Sequence, residues 1–424
     1  MLYHAAGGAQ TQLTPDGIRE AIAQVLDGFP AARKVLAIPP DMSRFHSQAG
    51  VLTRMVYDHL GDRLAAVLPA IGTHSPMSDT QIATMYAGVP RQLFRDHNWK
   101  QDLTTLGTVP SDFVHHVSEG RLDFEWPAQV NRLLTHGGMD LILSIGQVVP
   151  HEVIGMANYN KNVFVGTGGR DAINKSHYLG AVYGMERIMG RADSPVRALL
   201  NYASREFARE LPIVYLLTVV GAEPDGSLAV RGLFIGDDEE CFYRAAELAA
   251  KVNLTRVDEG LRKVVAYMDP TEYKSTWIGN KAIYRTRMAI ADGGELVVLA
   301  PGVREFGEDP ENDRLIRKYG YRGSEEVISL VAQHRELAES LGAAAHLVHG
   351  APEGRFSITY CPGDLTRAEI EGVGFAYGDY AEMSRRYDPK TLKDGFNTMP
   401  DGEEIFFISN PALGLWVRRE LFGE

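Results

Sequence analysis

Apolar runs of strand length alternate with helical patterns along the first part of the chain. The runs begin near Lys34, Leu64 and Leu141, and segments with helical spacing, such as Val51 to Leu60, lie between them. Each apolar run ends in a polar loop. This order of strand, loop and helix predicts a parallel α/β sheet.

Polar side chains follow three of these predicted strands. Asp41 and Arg44 follow the first, His74 follows the second, and His151 follows the third. Ligands of parallel α/β sheets bind beyond the carboxyl ends of the strands. These residues are therefore candidates for a ligand site, although Asp41 could instead cap the next helix and His74 could be a solvated loop residue.

A second α/β unit is predicted after a boundary at Asp269-Pro270. A helical pattern runs from Ile278 to Ala291, and strand-like runs follow near Glu295 and near Glu403. We therefore predict two α/β domains, residues 1–269 and 270–424, with the active site in the cleft between them. The candidate residues that follow the three strands lie in the first of these domains.

The stretch from His151 to His177 contains the strongest candidate chemistry. Lys161 lies ten residues after His151, and His177 lies sixteen residues after Lys161, with a glycine cluster at 166–169 between them. Imidazole serves as a metal ligand or a proton carrier near neutral pH. A lysine amine can act as a nucleophile or an attachment point. The glycines lack the G-x-G-x-x-G order of a dinucleotide loop, but they allow a ligand to approach the backbone.

The order of these motifs resembles the nickel-dependent lactate racemase family, whose members carry a nickel-pincer nucleotide. The resemblance covers most of the chain, and its most specific part is the spacing of the last three residues. The matching motifs are Asp41-x-x-Arg44, Gly72-x-His74, and the series His151, Lys161 and His177.

This resemblance implies an isomerase, a racemase or epimerase of a small 2-hydroxy acid. The family's cofactor is nickel bound to pyridinium-3,5-bisthiocarboxylic acid mononucleotide, which a lysine carries through a thioamide and whose metal a histidine coordinates. By position these residues are Lys161 and His177. Asp41 would orient a neighbour or the cofactor ribose, and Arg44 would supply charge to a phosphate or carboxylate. Cofactor-maturation proteins are implied as partners.

Racemisation of a 2-hydroxy acid presents a chemical difficulty that this cofactor avoids. The C–H proton next to the hydroxyl is too weak an acid for a side chain to remove at neutral pH. Transfer of hydride to the cofactor, together with removal of the hydroxyl proton, gives a planar 2-oxo acid that can take hydride back on either face. Bases on two opposite sides are then needed, and His74 and His151 are the candidates.

Two departures from the family's pattern concern attachment and substrate. The usual Ser-Gly-Gly-Arg-Lys is here Asn158-Tyr-Asn-Lys161, and the usual Tyr-Gln-x-x-Lys of the second half is Tyr284-Arg285-Thr-Arg287-Met288. The carboxylate-holding lysine is thus absent, so we expect a substrate other than lactate, and a bulkier one. Arg287 shares a helix face with Tyr284 and is the preferred carboxylate anchor, with Arg285 as the other candidate.

Composition limits the other possibilities. The formal net charge of −12 argues against a nucleic-acid partner, because phosphate binding needs clustered Lys and Arg. No apolar run of about 18 residues occurs, so we expect no membrane span. The two cysteines, Cys241 and Cys361, form no disulfide framework, and a reducing cytoplasm is the expected location. The sequence does not indicate an oligomeric state.

Two other functions remain possible at this point. The first is a histidine-liganded metal hydrolase, which the lack of an H-E-x-x-H motif disfavours because His151-Glu152 has no histidine four residues after the first. The second is a non-catalytic binding protein that retains the cofactor pocket. The presence of both candidate bases argues against that second possibility.

Overall fold

The computed structural model describes residues 1–223 and 226–423, and the chain divides into two compact units. The first unit comprises Met1–Tyr183 and Arg187–Asn253, and the second comprises Gly184–Glu186 and Leu254–Glu424. Each unit contains a central sheet with several parallel strands, and helices in the connections. The predicted α/β fold class is therefore confirmed.

The strands and helices of the first part of the chain alternate as the apolar pattern predicts. The strands are β1 (Leu2–Gly7), β2 (Val35–Ile38), β3 (Leu64–Val67), β4 (Leu103–Val109), β5 (Trp126–Asn131), β6 (Leu141–Gln147), β7 (Pro150–His151), β8 (Gly155–Met156), β9 (Ile213–Ala222) and β10 (Leu228–Gly236). The helices are α1 (Pro15–Asp27), α2 (Ala49–Leu60), α3 (Asp79–Met85), α4 (Ser111–Val117), α5 (Leu133–His136), α6 (Asn160–Phe164), α7 (Arg170–Tyr183), α8 (Met185–Ile188), α9 (Pro195–Phe207) and α10 (Glu239–Val252).

The central sheet of the first unit has the strand order β1-β10-β9-β6-β2-β3. Strands β9, β6, β2 and β3 run parallel, whereas β1, β10 and β9 pair antiparallel. Every residue of β2 is buried, which explains its continuous apolar run, because a parallel strand covered on both faces has no polar side. The carboxyl ends of β2, β3 and β6 point to one edge of the sheet, as predicted.

The second part of the chain forms the other unit. Its strands are β11 (Leu254–Val257), β12 (Leu261–Tyr267), β13 (Ile290–Ala300), β14 (Ser357–Pro362), β15 (Ala376–Tyr377), β16 (Gly395–Thr398), β17 (Glu404–Ile408) and β18 (Leu415–Arg418). Its helices are α11 (Thr276–Gly279), α12 (Lys281–Thr286), α13 (Pro310–Tyr319), α14 (Ser324–Gln333), α15 (Arg335–Ala338), α16 (Leu341–His349), α17 (Arg367–Gly372) and α18 (Tyr380–Arg386). Short 3₁₀ helices elsewhere span Met42–Ser47, Gly61–Arg63, Arg91–Leu93, Pro411–Leu413 and Arg419–Phe422.

The sheet of the second unit has the order β15-β14-β13-β12-β17-β16 and is parallel except for β16. Strand β12 pairs with β13 and β17, so the division falls between Asn253 and Leu254, before the boundary suggested at Asp269-Pro270. The predicted helix from Ile278 to Ala291 ends earlier, because Ile290 pairs with Leu261 in the sheet. Within residues 1–223 and 226–423, no helix has both the length and the apolar character that crossing a membrane requires.

Candidate active site

The ring of His74 is oriented by the carboxylate of Asp41. Nδ1 of His74 lies 2.8 Å from Oδ2 of Asp41. Burial by itself raises the pKa of Asp41. The hydrogen bonds from His74 and Ser43 and the charge of Arg44 lower it by a larger amount, so the pKa of Asp41 lies below its usual value. An ionised carboxylate only accepts hydrogen bonds, so Nδ1 of His74 carries the proton and Nε2 carries the lone pair.

The loop that carries His74 contacts the loop that follows α6. The N–H of Gly72 donates to the carbonyl of Gly166 over 2.8 Å. A Cβ on Gly166 would lie 2.5 Å from the Cβ of Ala70, which is closer than any real side chain allows. Gly166 therefore permits the two backbone segments to approach, and this approach places the His74 loop next to the helix that begins before Lys161.

The second candidate base, His151, has the opposite tautomer. The backbone N–H of Val153 donates to Nδ1 of His151 over 3.1 Å, so the neutral ring carries its proton on Nε2. Oε2 of Glu152 lies 3.8 Å from the same Nδ1. The side chain of His151 is buried, whereas that of His74 is 51% exposed. One imidazole thus offers a lone pair at Nε2 and the other offers a proton there.

Lys161 lies in the first turn of α6, in surroundings that favour the neutral form of its amine. Among residues 1–223 and 226–423 it has no hydrogen-bond or ion-pair partner. Burial lowers the pKa of Lys161 to about 8, and the positive charge of Arg44 lowers it as well. A substantial fraction of the amine is therefore neutral near physiological pH, which is the form that can be acylated.

His177, on α7, is a neutral imidazole with an available ring nitrogen. Its Nδ1 donates to the carbonyl of Ile173 over 2.7 Å, which leaves the lone pair on Nε2. Burial lowers the pKa of His177 to about 4, and the charge of Lys161 contributes to the decrease. Among the described residues, no group of three or more His, Cys, Asp or Glu side chains is arranged to bind a metal ion.

The structure brings these candidate residues of the first unit into one electrostatic neighbourhood. Arg44, Glu152 and Asp41 each affect the pKa of Lys161. Lys161, Glu152 and His74 in turn affect the pKa of His177. His151 is connected to the group through its neighbour Glu152. The side chain of Arg44 is partly buried and has no hydrogen-bond or ion-pair partner within the described part of the chain.

Arg287, the preferred carboxylate anchor, has a different position from the one expected. Its Nε lies 2.9 Å from Oε1 of Glu186, and its Nη1 donates to the carbonyls of His349 and Ala351. Arg287 is 4% exposed. The expectation that Arg287 presents its guanidinium to a substrate is therefore corrected, because these contacts within the second unit occupy the guanidinium.

The other two candidates on α12 are also buried. The hydroxyl of Tyr284 lies 2.9 Å from Nδ1 of His346, and Arg285 is 1% exposed. Met288 is fully buried, in agreement with an apolar residue at the position of the family's lysine. A substrate role for Arg285 stays a prediction.

Two residues near Lys161 escaped the sequence analysis. Glu152 follows His151 directly, and this position beside a candidate histidine is the one feature of the sequence that could have identified it. Arg197 is a buried residue of α9. Burial is the main cause of the lowered pKa of Lys161, and the positive charge of Arg197 lowers this pKa as well. The local sequence around Arg197 has an ordinary amphipathic pattern, so no local signal identifies it.

The arrangement of this unit agrees with a known family. Residues 18–188 match the family model of the lactate racemase N-terminal domain. This segment of the chain is therefore similar to the N-terminal domain of lactate racemases. The resemblance to a lactate racemase-like family that the order of the motifs suggested is thereby confirmed. No curated protein sequence matches this chain.

Solved structures share the fold of this chain over nearly its whole length. A Thermotoga maritima protein from a structural genomics consortium has a TM-score of 0.83 and 24% identity, and the match covers 97% of this chain and 100% of that one. The lactate racemase apoprotein from Thermoanaerobacterium thermosaccharolyticum has a TM-score of 0.72 and 13% identity, with 96% and 93% covered. At these identities the likeness concerns the fold.

The lowered pKa of His177 predicts a dependence of stability on pH. The folded chain keeps His177 neutral down to about pH 4, whereas the unfolded chain protonates it near 6.5. The unfolded state therefore binds more protons between these values, and the free energy of unfolding decreases as the pH falls through this window, by at most about 1.4 kcal/mol per pH unit. Urea unfolding of the wild type and of His177→Gln across this window measures the effect. A difference between the two proteins that does not change with pH would contradict the assignment.

Proposed function

We propose that this chain is a racemase or epimerase of a 2-hydroxy acid that uses a nickel-pincer nucleotide attached to Lys161. The observation that carries the proposal is the placement of four groups in one neighbourhood. These groups are an amine without a partner in the described chain, a neutral imidazole with a lone pair on Nε2, and two further imidazoles of opposite tautomer.

The residues present fit such a group. The amine of Lys161 would form the covalent link, Nε2 of His177 would bind the nickel, and the guanidinium of Arg44 would pair with the phosphate. Close backbone approach at Gly166 removes side-chain volume beside Lys161. When bound, the group supplies a reversible hydride acceptor. Maturation proteins that build and attach the group are proposed partners, and a cytoplasmic location stays a prediction.

The two imidazoles then transfer the hydroxyl proton. In one direction Nε2 of His74 accepts the proton of the substrate hydroxyl, and the negative charge of Asp41 stabilises the imidazolium that forms. His151 donates to the oxygen of the 2-oxo acid as an imidazolium and becomes a neutral imidazole; the carboxylate of Glu152, with Oε2 3.8 Å from Nδ1, stabilises the positive charge before the transfer. In the opposite direction the two histidines exchange roles, and this exchange allows both configurations to be produced.

The substrate is proposed to be a 2-hydroxy acid larger than lactate. Met288 gives an apolar side chain where the family's pattern has a carboxylate-binding lysine. Arg285 takes the position of the glutamine, and a guanidinium can bind a carboxylate through two parallel hydrogen bonds. We therefore propose Arg285 as the carboxylate anchor. Arg287 is the less favoured candidate, because its contact with Glu186 gives it a structural role within the second unit.

A matched pair of variants tests this choice of anchor. Arg285→Gln is expected to raise KM for the best substrate by about 10- to 100-fold, because a charged hydrogen bond contributes about 1.5–3 kcal/mol. Racemisation of a panel of chiral 2-hydroxy acids, including lactate and aldonates, by the cofactor-loaded chain provides the measurement.

Arg287→Gln is the control for this experiment. It breaks a partly buried ion pair with Glu186 and should lower the melting temperature while KM changes little. A raised KM in Arg287→Gln together with an unchanged KM in Arg285→Gln would reverse the assignment. Lactate as the preferred substrate would overturn the proposed substrate class.

A further inference from the structure

The segment directly before Lys161 has an unusual backbone conformation. Asn158 and Tyr159 have φ values of 68° and 60°, so two consecutive residues with side chains lie in the left-handed region. Tyr159 combines its φ with a ψ of −134°, a combination that residues other than glycine rarely adopt. Such a conformation persists only when surrounding contacts stabilise it.

The guanidinium of Arg197 makes several of these contacts. Its Nη1 donates to Oδ1 of Asn160, and its Nη2 donates to the carbonyl of Met156 over 2.8 Å and to that of Asn158 over 3.2 Å. Arg197 is 1% exposed. One rigid fork of N–H donors therefore binds three residues of the strained segment from the side of α9.

Aromatic rings fix the side chains of this segment. The guanidinium carbon of Arg197 lies 4.0 Å from the centre of the Phe242 ring, in cation–π geometry. The ring of Tyr159 stacks on the same Phe242, with centroids 5.4 Å apart, and also lies 4.2 Å from the Tyr215 centroid. Tyr159 and Arg197 thus share one buried packing layer, which orients both side chains.

Asn160 connects the segment to α9 a second time. Its Nδ2 donates to Oδ1 of Asn201 over 2.8 Å and to Oγ of Ser204 over 3.0 Å. Arg197, Asn201 and Ser204 lie four and three residues apart and therefore on one face of the helix. Asn160, the residue immediately before Lys161, is consequently hydrogen-bonded to three side chains of helix α9.

We infer that Arg197 is a positioning residue that stabilises the strained segment 156–160 and thereby fixes the amine of Lys161 in its half-buried place near Arg44. The inference rests on the proposed function in one respect only, namely that attachment of the cofactor requires the Lys161 amine to be held in this place. The contacts of Arg197 with the segment exist in the chain itself, without any cofactor.

Loss of these contacts has a defined effect on Lys161. The charged groups around the amine are Arg44, Glu152, Arg197 and Asp41, and burial is the main cause of its lowered pKa of about 8. If the segment relaxes, the amine reaches water, and its pKa rises toward the ordinary value of about 10.4. Because the charge of Arg197 itself also lowers this pKa, a variant that keeps this charge but removes the contacts, Asn160→Ala, separates positioning from charge.

The test uses the full chain expressed without maturation proteins, with acetic anhydride as the probe. Acetylation of Lys161 is quantified by peptide mass spectrometry over a pH series, relative to the exposed Lys390. The wild type should show a midpoint near 8. In Arg197→Met, which keeps the apolar stem, the relative acetylation of Lys161 at that pH should fall about fivefold or more.

A second substitution tests the strain. Tyr159→Gly relieves the strain but also removes the ring that packs on Phe242, so the midpoint of this single variant is the reference for the double variant. In Arg197→Met/Tyr159→Gly the midpoint should return toward this reference, since the segment then needs less stabilisation. A folded Arg197→Met with an unchanged Lys161 midpoint would overturn the inference, and so would a double variant without any recovery.

If Arg197→Met does not fold, Asn160→Ala serves the same purpose. It removes the side chain that joins Arg197 to Asn201 and Ser204, so the relative acetylation of Lys161 should again fall several-fold. An unchanged midpoint in that variant would overturn the inference. No cofactor takes part in this experiment, so a chain that never carries a nickel nucleotide would give the same labelling result. Failure of the proposed function can therefore be distinguished from failure of the inference about Arg197.

Discussion

Replacement of either His74 or His151 by alanine is expected to lower the rate of racemisation by about 10²- to 10⁴-fold, starting from either enantiomer. Each turnover needs one imidazole to take the hydroxyl proton and the other to return a proton on the opposite side. A carboxylate lies near Nδ1 of each ring, Asp41 at 2.8 Å from His74 and Glu152 at 3.8 Å from His151, so each imidazolium has a negative charge to stabilise it. Chiral chromatography of the products from the cofactor-loaded variants measures the rates.

The chain offers a matched control for the His74 variant. Nε2 of His59 lies 3.0 Å from Oδ1 of Asp27, so this pair has the same chemistry as His74 and Asp41 at another place in the unit. His59→Ala should leave the rate of racemisation within about twofold of the wild type, because it removes no group from the site. A base variant that racemises as fast as His59→Ala would show that the two imidazoles have been misassigned.

Lys161→Arg is expected to abolish both retention of nickel and racemisation. Arginine preserves a positive charge and a long stem, but its guanidinium stays protonated and cannot take the place of the amine in a covalent link. Without the covalent link, only the side chains of His177 and Arg44 would hold the nickel nucleotide, and it would be lost during gel filtration. Nickel content after gel filtration and the racemisation rate are the two readouts, with protein co-expressed with the maturation proteins.

Lys175→Arg provides the control for this substitution. Lys175 lies on α7, where it pairs with Asp171 one helical turn away. The same chemical change at this position should leave nickel content and rate unaffected, since Lys175 takes no part in the proposed attachment. Retention of nickel by Lys161→Arg at the level of Lys175→Arg would remove Lys161 from its proposed role.

The sequence predicted the parts of the site that depend on regular structure. Asp41 and His74 follow strands that pair in parallel, and this geometry alone places them at one edge of the sheet. The spacing from His151 through Lys161 to His177 identified the remaining first-unit candidates. Their roles in catalysis and attachment stay predictions.

The parts that the sequence did not predict depend on partners far away along the chain. The guanidinium of Arg287 is occupied by an ion pair with Glu186. The unusual backbone conformation at Asn158 and Tyr159 is held by contacts with Arg197. The tautomer of His151 is decided by one backbone N–H, that of Val153, which no side-chain pattern reveals. Contacts of this kind arise from tertiary packing and leave no periodic signal.

The intact mass of the purified chain, expressed with and without the maturation proteins, tests the central claim most directly. The account predicts an increase in mass only in their presence, located by fragmentation on the peptide that contains Lys161 and accompanied by nickel and by racemisation of a 2-hydroxy acid. A chain that racemises such an acid while its Lys161 peptide has the unmodified mass would contradict the account.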